Sequence, residues 1–135
     1  MEFNEEYTYY SMSSEGGRES LISRIKGVLK EYGVSLGIIF GSFVDLNEFR
    51  DVDIAVYGKD LGLNRLLSLG GVRLEEVLGI PVDVVPLMDI NPEFRLSILE
   101  RGLIILEDAD GLYEALISET LDELYLVKRE ENLVQ

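Results

Sequence analysis

The chain has 135 residues, of which 47% are apolar, so its length suits one domain with a hydrophobic core. Its 12 basic and 26 acidic side chains leave a net charge of −14, which argues against binding to a nucleic-acid backbone or to anionic lipid. Because the chain has no Cys and no His, disulfides, thiolate metal sites and histidine-based catalysis are excluded. Any enzymatic chemistry must therefore use carboxylates, hydroxyls, Lys, Arg, backbone amides or a bound metal.

Residues 1–17 predict an N-terminal tail or edge segment, and residues 18–135 predict a single domain that ends in a helix. The three tyrosines of the tail could form a short edge strand, a docking patch or a disordered arm, and Ser13–Gly17 is typical of a flexible break. The acidic start has no apolar core of a signal peptide, and no apolar run reaches the length of a membrane span. We therefore expect a cytoplasmic protein.

The first half of the domain predicts a helix and two strands. Apolar side chains recur at helical spacing over residues 21–32, and Gly33 ends that helix. Val34–Phe40 and Val52–Tyr57 are apolar runs of strand length, joined by residues 43–50, which we expect to be a polar connection. The two strands are close enough in sequence to pair with each other.

The middle of the chain predicts a helix, a strand and a second helix. Residues 60–79 have a helical apolar pattern, and Gly70-Gly71 is expected to split or bend that helix. Val82–Leu87 predicts a third strand. A helix then begins at Asn91-Pro92, a cap residue followed by a proline at the first helical position, and ends at Gly102.

The last part of the chain predicts a short fourth strand at Leu103–Leu106 and a long helix that starts near Asp110. The order α-β-β-α-β-α-β-α indicates an α/β (α+β) fold, a mixed sheet of about four strands flanked by helices. The helices at the two ends of the domain could pack on the sheet or on another subunit, which leaves a homodimer possible.

Two Asp-x-Asp pairs stand out. Asp51 and Asp53 are two apart on a predicted strand, so both carboxylates leave one face, where they repel each other and need a cation. Magnesium suits them, because it prefers oxygen ligands and keeps positions free for phosphate oxygens. Asp108 and Asp110 precede a predicted helix, so we interpret that pair as a helix cap.

Two further features lie on the neighbouring strands. Gly41-Ser42 ends the strand before the first Asp pair, where a glycine lets the backbone approach a ligand and a Ser hydroxyl with nearby amides can hold phosphate. Asp83 is an acid inside the apolar strand Val82–Val85, and burying it is costly unless it is paired or binds a metal. Taken alone each feature favours a structural role, but in this order on three strands they indicate one site.

In combination these segments resemble the minimal nucleotidyltransferases of the DNA polymerase β superfamily. The resemblance covers residues 18–110 and rests on Gly41-Ser42, Asp51–Val56, Val82–Val85 and Ile98–Leu106. It implies the polymerase β-like nucleotidyltransferase fold, a mixed β-sheet with helices packed against it.

The resemblance also implies a role for each site residue. Gly41 and Ser42 would contact the phosphates of a nucleotide, and Asp51, Asp53 and Asp83 would bind Mg²⁺, with Asp83 also helping to activate the attacking hydroxyl. The reaction would be in-line attack on the α-phosphorus of a nucleoside triphosphate, with two metal ions and release of pyrophosphate. ATP is the expected substrate and AMP the transferred group.

Minimal members of this family are often the antitoxin of a two-protein toxin–antitoxin module with an all-helical HEPN partner. The resemblance therefore implies a partner protein of that kind, and the acceptor hydroxyl could be a tyrosine on it. The excess of acids argues against a nucleic-acid acceptor and favours a partner with a basic face.

The loop after Gly-Ser departs from the family pattern. It is shorter than usual, it continues as Phe43–Leu46 where small or basic residues are usual, and Arg50 stands where the family has Ser. The loop lacks the family's Arg, so triphosphate binding should be weaker unless Arg50, Lys59 or Arg65 compensates.

Three interpretations remain open from the sequence. The chain could be an active nucleotidyltransferase, a non-catalytic module of the same fold that neutralises or scaffolds a partner, or an unrelated α/β domain with chance motifs. The third predicts that the three Asp carboxylates lie more than roughly 8 Å apart, since bonds from a metal to oxygen are about 2 Å long.

Overall fold

The computed structural model of the chain describes residues 10–11, 15–45, 48–49 and 51–134. They form a four-stranded mixed sheet with helices on both faces, and a separate two-stranded ribbon. The elements are β1 (Tyr10–Ser11), α1 (Glu15–Glu31), β2 (Leu36–Phe40), α2 (Ser42–Asp45), β3 (Glu48–Phe49), β4 (Val52–Tyr57), α3 (Leu63–Leu67), a π-helical segment (Ser68–Leu74), α4 (Glu75–Leu78), β5 (Val82–Pro86), a 3₁₀ turn (Leu87–Asp89), α5 (Pro92–Arg101), β6 (Leu103–Glu107) and α6 (Leu112–Val134). The predicted α+β fold is confirmed.

The order of strands in the sheet is β5-β4-β2-β6. Strand β2 is antiparallel to β4 and β6, whereas β4 is parallel to β5. Phe40 lies opposite Asp53, Asp53 lies opposite Asp83, and Ile39 lies opposite Leu103. The end of β2 and the starts of β4, β5 and β6 therefore meet at one end of the sheet, which we call the acidic end.

The sheet separates two apolar clusters. Along β4, Val52, Ile54 and Val56 face the cluster formed with α1, the π-helical segment and α4, whereas Ala55 faces the cluster formed with α5 and α6. This alternation follows from the period of two in a strand, and it confirms that Val52, Ile54 and Val56 share one core face. Asp53 shares the face of Ala55, so it lies on the side covered by α5 and α6.

The prediction that residues 43–50 form a polar connection is wrong for the first part of this segment. Ser42–Asp45 forms the short helix α2, and Phe43 is fully buried in the core, so this segment packs on the domain. Glu48–Phe49 pairs antiparallel with Tyr10–Ser11. Neither feature has a local periodicity that could predict it, because both depend on contacts with distant parts of the chain.

The N-terminal segment differs in part from expectation. Helix α1 begins at Glu15, so the break expected at Ser13–Gly17 is wrong for its last three residues. Of the three tyrosines, Tyr10 is the one among the described residues, and it lies on the short strand Tyr10–Ser11 of the two-stranded ribbon. The remainder of the predicted tail lies outside the described residues, and the domain boundary at residue 18 stays a prediction.

The interruption expected at Gly70-Gly71 is confirmed, since the helical stretch passes through a π-helical segment there. A Cβ added to Gly70 would lie 2.9 Å from Cγ2 of Val84, so the glycine lets this segment approach β5 closely. The regular α-helical hydrogen bonding of the middle helix is thus replaced by π-helical hydrogen bonding where the helix packs on β5.

The predicted N-terminal cap is confirmed for α5 but not for α6. Asn91 caps α5 as predicted, with its side-chain oxygen accepting from the Phe94 N–H at 3.0 Å. At α6 the predicted cap by Asp108 and Asp110 is wrong, because the Tyr113 N–H donates to the carboxylate of Glu107 at 2.8 Å. Among the described residues, no helix has both the length and the apolar character needed to cross a bilayer.

Candidate metal centre

Three carboxylates converge at the acidic end. Asp51 precedes β4, Asp53 lies on β4, and Asp83 lies beside it in register on β5. One carboxylate oxygen from each can be chosen so that all three lie within 4.8 Å of one another. The interpretation as an unrelated domain is therefore wrong, because it required a separation beyond roughly 8 Å.

The charge of this cluster changes the chemistry of its central member. The pKa of Asp53 is raised to about 6, first by burial and then by the negative charges of Asp51 and Asp83. Asp53 therefore holds a proton more tightly than an isolated carboxyl does. Such a cluster is strained electrostatically until a cation neutralises it.

The donor set fits magnesium. All three candidate ligands are carboxylate oxygens, the donors that hard divalent cations prefer. Oxygens on opposite sides of one magnesium ion are about 4 Å apart, so a spread of 4.8 Å needs only small side-chain rotations. Asp83 is exposed while Asp51 and Asp53 are half-buried, which leaves one side of the cluster open to a substrate.

Gly41 packs directly against the central carboxylate. Its φ is +80°, and a Cβ added there would lie 2.5 Å from Oδ2 of Asp53. A glycine is thus needed both for the left-handed backbone and for the space beside Asp53. Ser42 follows as the first residue of α2, at the same end of the sheet. The predicted contacts of Gly41 and Ser42 with phosphates stay a prediction.

Two hydrogen bonds hold the starts of β4 and β5 in place. The Val82 N–H donates to a carboxylate oxygen of Glu75 at 2.9 Å, and the Val52 N–H donates to the Pro81 carbonyl at 3.0 Å. Each of these donors neighbours one of the acidic residues. The backbone that carries the cluster is therefore fixed from α4 as well as from the sheet.

The cations expected to compensate for the loop lie elsewhere. Lys59 and Arg65 border a hollow with Tyr32 and Ser35 at the opposite end of the sheet. From Asp53 to Tyr57 the strand rises about 13 Å, since each residue adds about 3.3 Å. Lys59 and Arg65 are therefore too far from the acidic end to compensate for the shortened loop, and Arg50 lies outside the described residues.

Sequence reasoning missed a cleft on the other flank of β2. Phe40, Phe94, Ser97 and Arg101 line it, and its volume is about 260 Å³. Arg101 could have been noticed, because it stands directly before Gly102 in one of the segments that carried the resemblance. Only the packing of α5 against β2 reveals that this residue lies near the acidic end.

A family comparison agrees with this geometry. The sequence pattern described as polymerase beta, nucleotidyltransferase, matches residues 23–110, well over half of the chain. The chain belongs to this family. The resemblance and the expected nucleotidyltransferase fold are thereby confirmed. A comparison with curated protein sequences found no match.

Several solved structures with the same fold are of toxin–antitoxin pairs. A chain from the complex of a tri-AMPylated Shewanella oneidensis HEPN toxin with an MNT antitoxin has a TM-score of 0.70, at 20% identity, over 87% of this chain and 94% of that chain. A toxin–antitoxin structure with AMP-PNP has a TM-score of 0.71, at 21% identity, over 84% and 94%. An MntA–HepT complex has a TM-score of 0.69, at 19% identity, over 86% and 94%. At these identities the likeness establishes a shared fold.

Proposed function

We propose that this nucleotidyltransferase-family chain moves AMP from ATP to a hydroxyl group in a magnesium-dependent reaction. The observation that carries the proposal is the convergence of Asp51, Asp53 and Asp83 to within 4.8 Å, at the end of the sheet where Gly41 and Ser42 lie. Family membership supports transferase chemistry in general. The nucleotide analogue in a solved structure of the same fold supports ATP as the donor.

Asp51 and Asp53 would hold the metal, with Asp83 as a third ligand, and the family resemblance favours two ions. Magnesium bound there supplies the positive charge that stabilises the attacking and leaving oxygens of the phosphoryl group. Gly41 and Ser42 would contact the phosphates, since they follow β2 beside Asp53 and Gly41 has no Cβ to fill the space next to that carboxylate.

The transfer forms one bond and breaks one. The acceptor oxygen attacks the α-phosphorus, the bond from that phosphorus to the bridging oxygen breaks, and pyrophosphate leaves on the opposite side. Asp83 is the exposed member of the three carboxylates, so it is the one an acceptor can reach. We assign Asp83 to receive the hydroxyl proton as the new bond forms.

The partner we propose is an all-helical HEPN-type toxin, with this chain as its antitoxin and a toxin tyrosine as the acceptor. The support is that chains of the same fold are found with HEPN toxins, one of which is AMPylated. The net charge of −14 fits a partner with a basic face. A cytoplasmic location and a homodimer remain predictions.

The test is transfer of label from [α-³²P]ATP to the HEPN partner in the presence of Mg²⁺. We expect labelled partner with the unaltered chain and none with Asp51→Asn combined with Asp53→Asn. Asp60→Asn is the matched control, because Asp60 is an exposed carboxylate at the opposite end of the sheet. Absence of label, or label that survives loss of Asp51 and Asp53, would refute the proposal.

A second candidate function is a binding module that neutralises or scaffolds the partner without catalysis. The observation that favours it is the apolar surface of α6, where Leu121 is 49% exposed and Tyr125 is 66% exposed. Large apolar side chains that remain exposed on a helix face are typical of protein contacts. This function predicts that the partner binds equally well when the three Asp residues are replaced.

A further inference from the structure

The cleft beside β2 is part of the acidic end. Phe40 lies opposite Asp53 in the sheet, and Phe40 also forms one wall of the cleft together with Val44 of α2. The ring of Phe94 meets the ring of Phe40 edge to face, with centroids 6.0 Å apart. The acidic cluster and the cleft are therefore separated by the width of one strand.

A glycine brings the cationic wall of the cleft to this position. A Cβ added to Gly102 would lie 2.4 Å from Cγ2 of Ile38 and 3.2 Å from the carbonyl oxygen of Ile39. The junction of α5 and β6 can therefore press against the end of β2. Arg101, the residue before this glycine, is the last residue of α5 and borders the cleft with Ser97.

Arg101 is available for a ligand. In the part of the chain that the structure describes, its exposed guanidinium makes no hydrogen bond or ion pair. The other Arg of α5, Arg95, is buried and donates to backbone carbonyls and to Glu123. Arg18 stacks over the ring of Phe43 at 4.7 Å. Arg101 is thus the cation that lines the cleft without a protein acceptor.

The geometry of the proposed reaction directs the leaving pyrophosphate toward the side of β4 on which β2 and the cleft lie. In an in-line displacement the acceptor and the leaving group lie on opposite sides of the phosphorus. Asp83, the carboxylate assigned to the acceptor, is on β5 at one side of β4, whereas β2 and β6 lie at the other side. Pyrophosphate would therefore leave toward β2, in the direction of the cleft.

We infer that Arg101, with Ser97 beside it, binds the β- and γ-phosphates of the nucleotide and holds the pyrophosphate that leaves. This inference rests on the proposed nucleotidyl transfer and deepens it by naming the leaving-group site. It also accounts for the basic residue absent from the shortened loop after Gly41, because a guanidinium from α5 can form the forked hydrogen bonds that phosphate oxygens accept.

The test compares the binding of three probes in the presence of Mg²⁺ by calorimetry: inorganic pyrophosphate, AMP and a non-hydrolysable ATP analogue. For Arg101→Gln we expect a loss of affinity for pyrophosphate and for the ATP analogue of roughly tenfold to a hundredfold, as for one charge-assisted contact, with AMP affinity unchanged. Arg101→Lys should recover part of the loss. Arg65→Gln, at the opposite end of the sheet, is the control of equal charge change.

The outcomes separate this inference from the function on which it rests. If the unaltered chain binds neither pyrophosphate nor the ATP analogue, the proposed transfer fails and the inference fails with it. If the unaltered chain binds them and Arg101→Gln binds equally well, only the inference is overturned. A loss of AMP affinity with pyrophosphate affinity retained would also overturn it, because the cleft would then hold the nucleoside between Phe40 and Phe94.

Discussion

Gly41 combines two constraints at one residue. Its φ of +80° lies in the left-handed region, and its missing side chain leaves room for the carboxylate of Asp53. Gly33 has nearly the same backbone, with φ +77°, but a Cβ added there would meet nothing within 4 Å. The two glycines therefore separate backbone strain from disturbance of the acidic cluster.

We expect Gly41→Ala and Gly33→Ala each to lower the free energy of unfolding by about 1–2 kcal/mol, because both force a Cβ into a left-handed conformation. Only Gly41→Ala should weaken Mg²⁺ binding, since its Cβ would displace the carboxylate of Asp53. Chemical denaturation measures the first effect and calorimetric titration with Mg²⁺ the second. Equal Mg²⁺ affinities in the two variants would contradict this role of Gly41.

Asp53 should make the metal-free protein less stable at neutral pH. Its pKa rises from 3.8 to about 6 on folding, so the folded state binds the proton more tightly than the unfolded state. The stability that this proton provides is complete below about pH 4 and is lost as the pH rises through about 6. A neutral side chain at position 53 should therefore avoid this decrease in the free energy of unfolding.

In EDTA at pH 7.5, Asp53→Asn should therefore melt at a higher temperature than the unaltered chain, and the difference should shrink at pH 5. Mg²⁺ should raise the melting temperature of the unaltered chain at pH 7.5 and have little effect on the variant. Asp60→Asn, which changes an exposed carboxylate at the opposite end of the sheet, is the control. A variant that melts lower than the unaltered chain in EDTA would refute this account.

Among the elements, α5 depends on a buried cation that joins it to its neighbours. Arg95 is 3% exposed and donates to the carbonyl oxygens of Leu87, Met88 and Ile90, and to the carboxylate of Glu123 on α6 at 2.8 Å. One side chain thus donates to the backbone carbonyls in and directly after the 3₁₀ turn, and it links that turn to α6. A buried charge is tolerated here because all its directions are hydrogen-bonded.

Arg95→Ala should lower the free energy of unfolding by about 3 kcal/mol, because it leaves several carbonyls without a donor and opens space between α5 and α6. Arg101→Ala, an exposed change on the same helix, should change it by no more than about 0.5 kcal/mol. Urea denaturation followed by circular dichroism measures both. Similar losses in the two variants would show that Arg95 does not anchor α5.

The whole molecule presents two different surfaces: an acidic end whose three carboxylates suit a metal ion, and an exposed apolar stretch on α6. Leu121 and Tyr125 are four residues apart, so they lie on one side of that helix. The two surfaces allow catalysis and partner binding to be tested independently.

Replacing Leu121 and Tyr125 together with Ser should leave the melting temperature and Mg²⁺ affinity nearly unchanged, because both side chains are exposed. Affinity for the helical HEPN-type partner should fall by tenfold or more, as measured by calorimetry. The control pair is Ser118→Ala with Glu119→Gln, exposed polar positions earlier on α6. Unchanged partner affinity in the Leu121 and Tyr125 double variant would exclude this surface as the interface.

The main elements could be predicted because their patterns are local. The bounds of Val52–Tyr57 agree with the structure, and the cap at Asn91 was visible in the letters Asn-Pro-Glu. The cap of α6 could not be found in this way. The helix uses Glu107 from the end of β6 rather than the nearer Asp110, because backbone geometry determines which carboxylate reaches the Tyr113 N–H.

The sequence was sufficient for the family, the fold class and the meeting of three acids at one end of the sheet, because periodicity and short motifs lie within a few residues of one another. It could not reveal that Phe43 is core, that Lys59 and Arg65 lie away from the site, or that Arg101 lies beside it. These facts depend on strand order and register. The antiparallel pairing of β2 with β4 and β6 decides which chain segments share the acidic end, and residues far apart in the chain meet there.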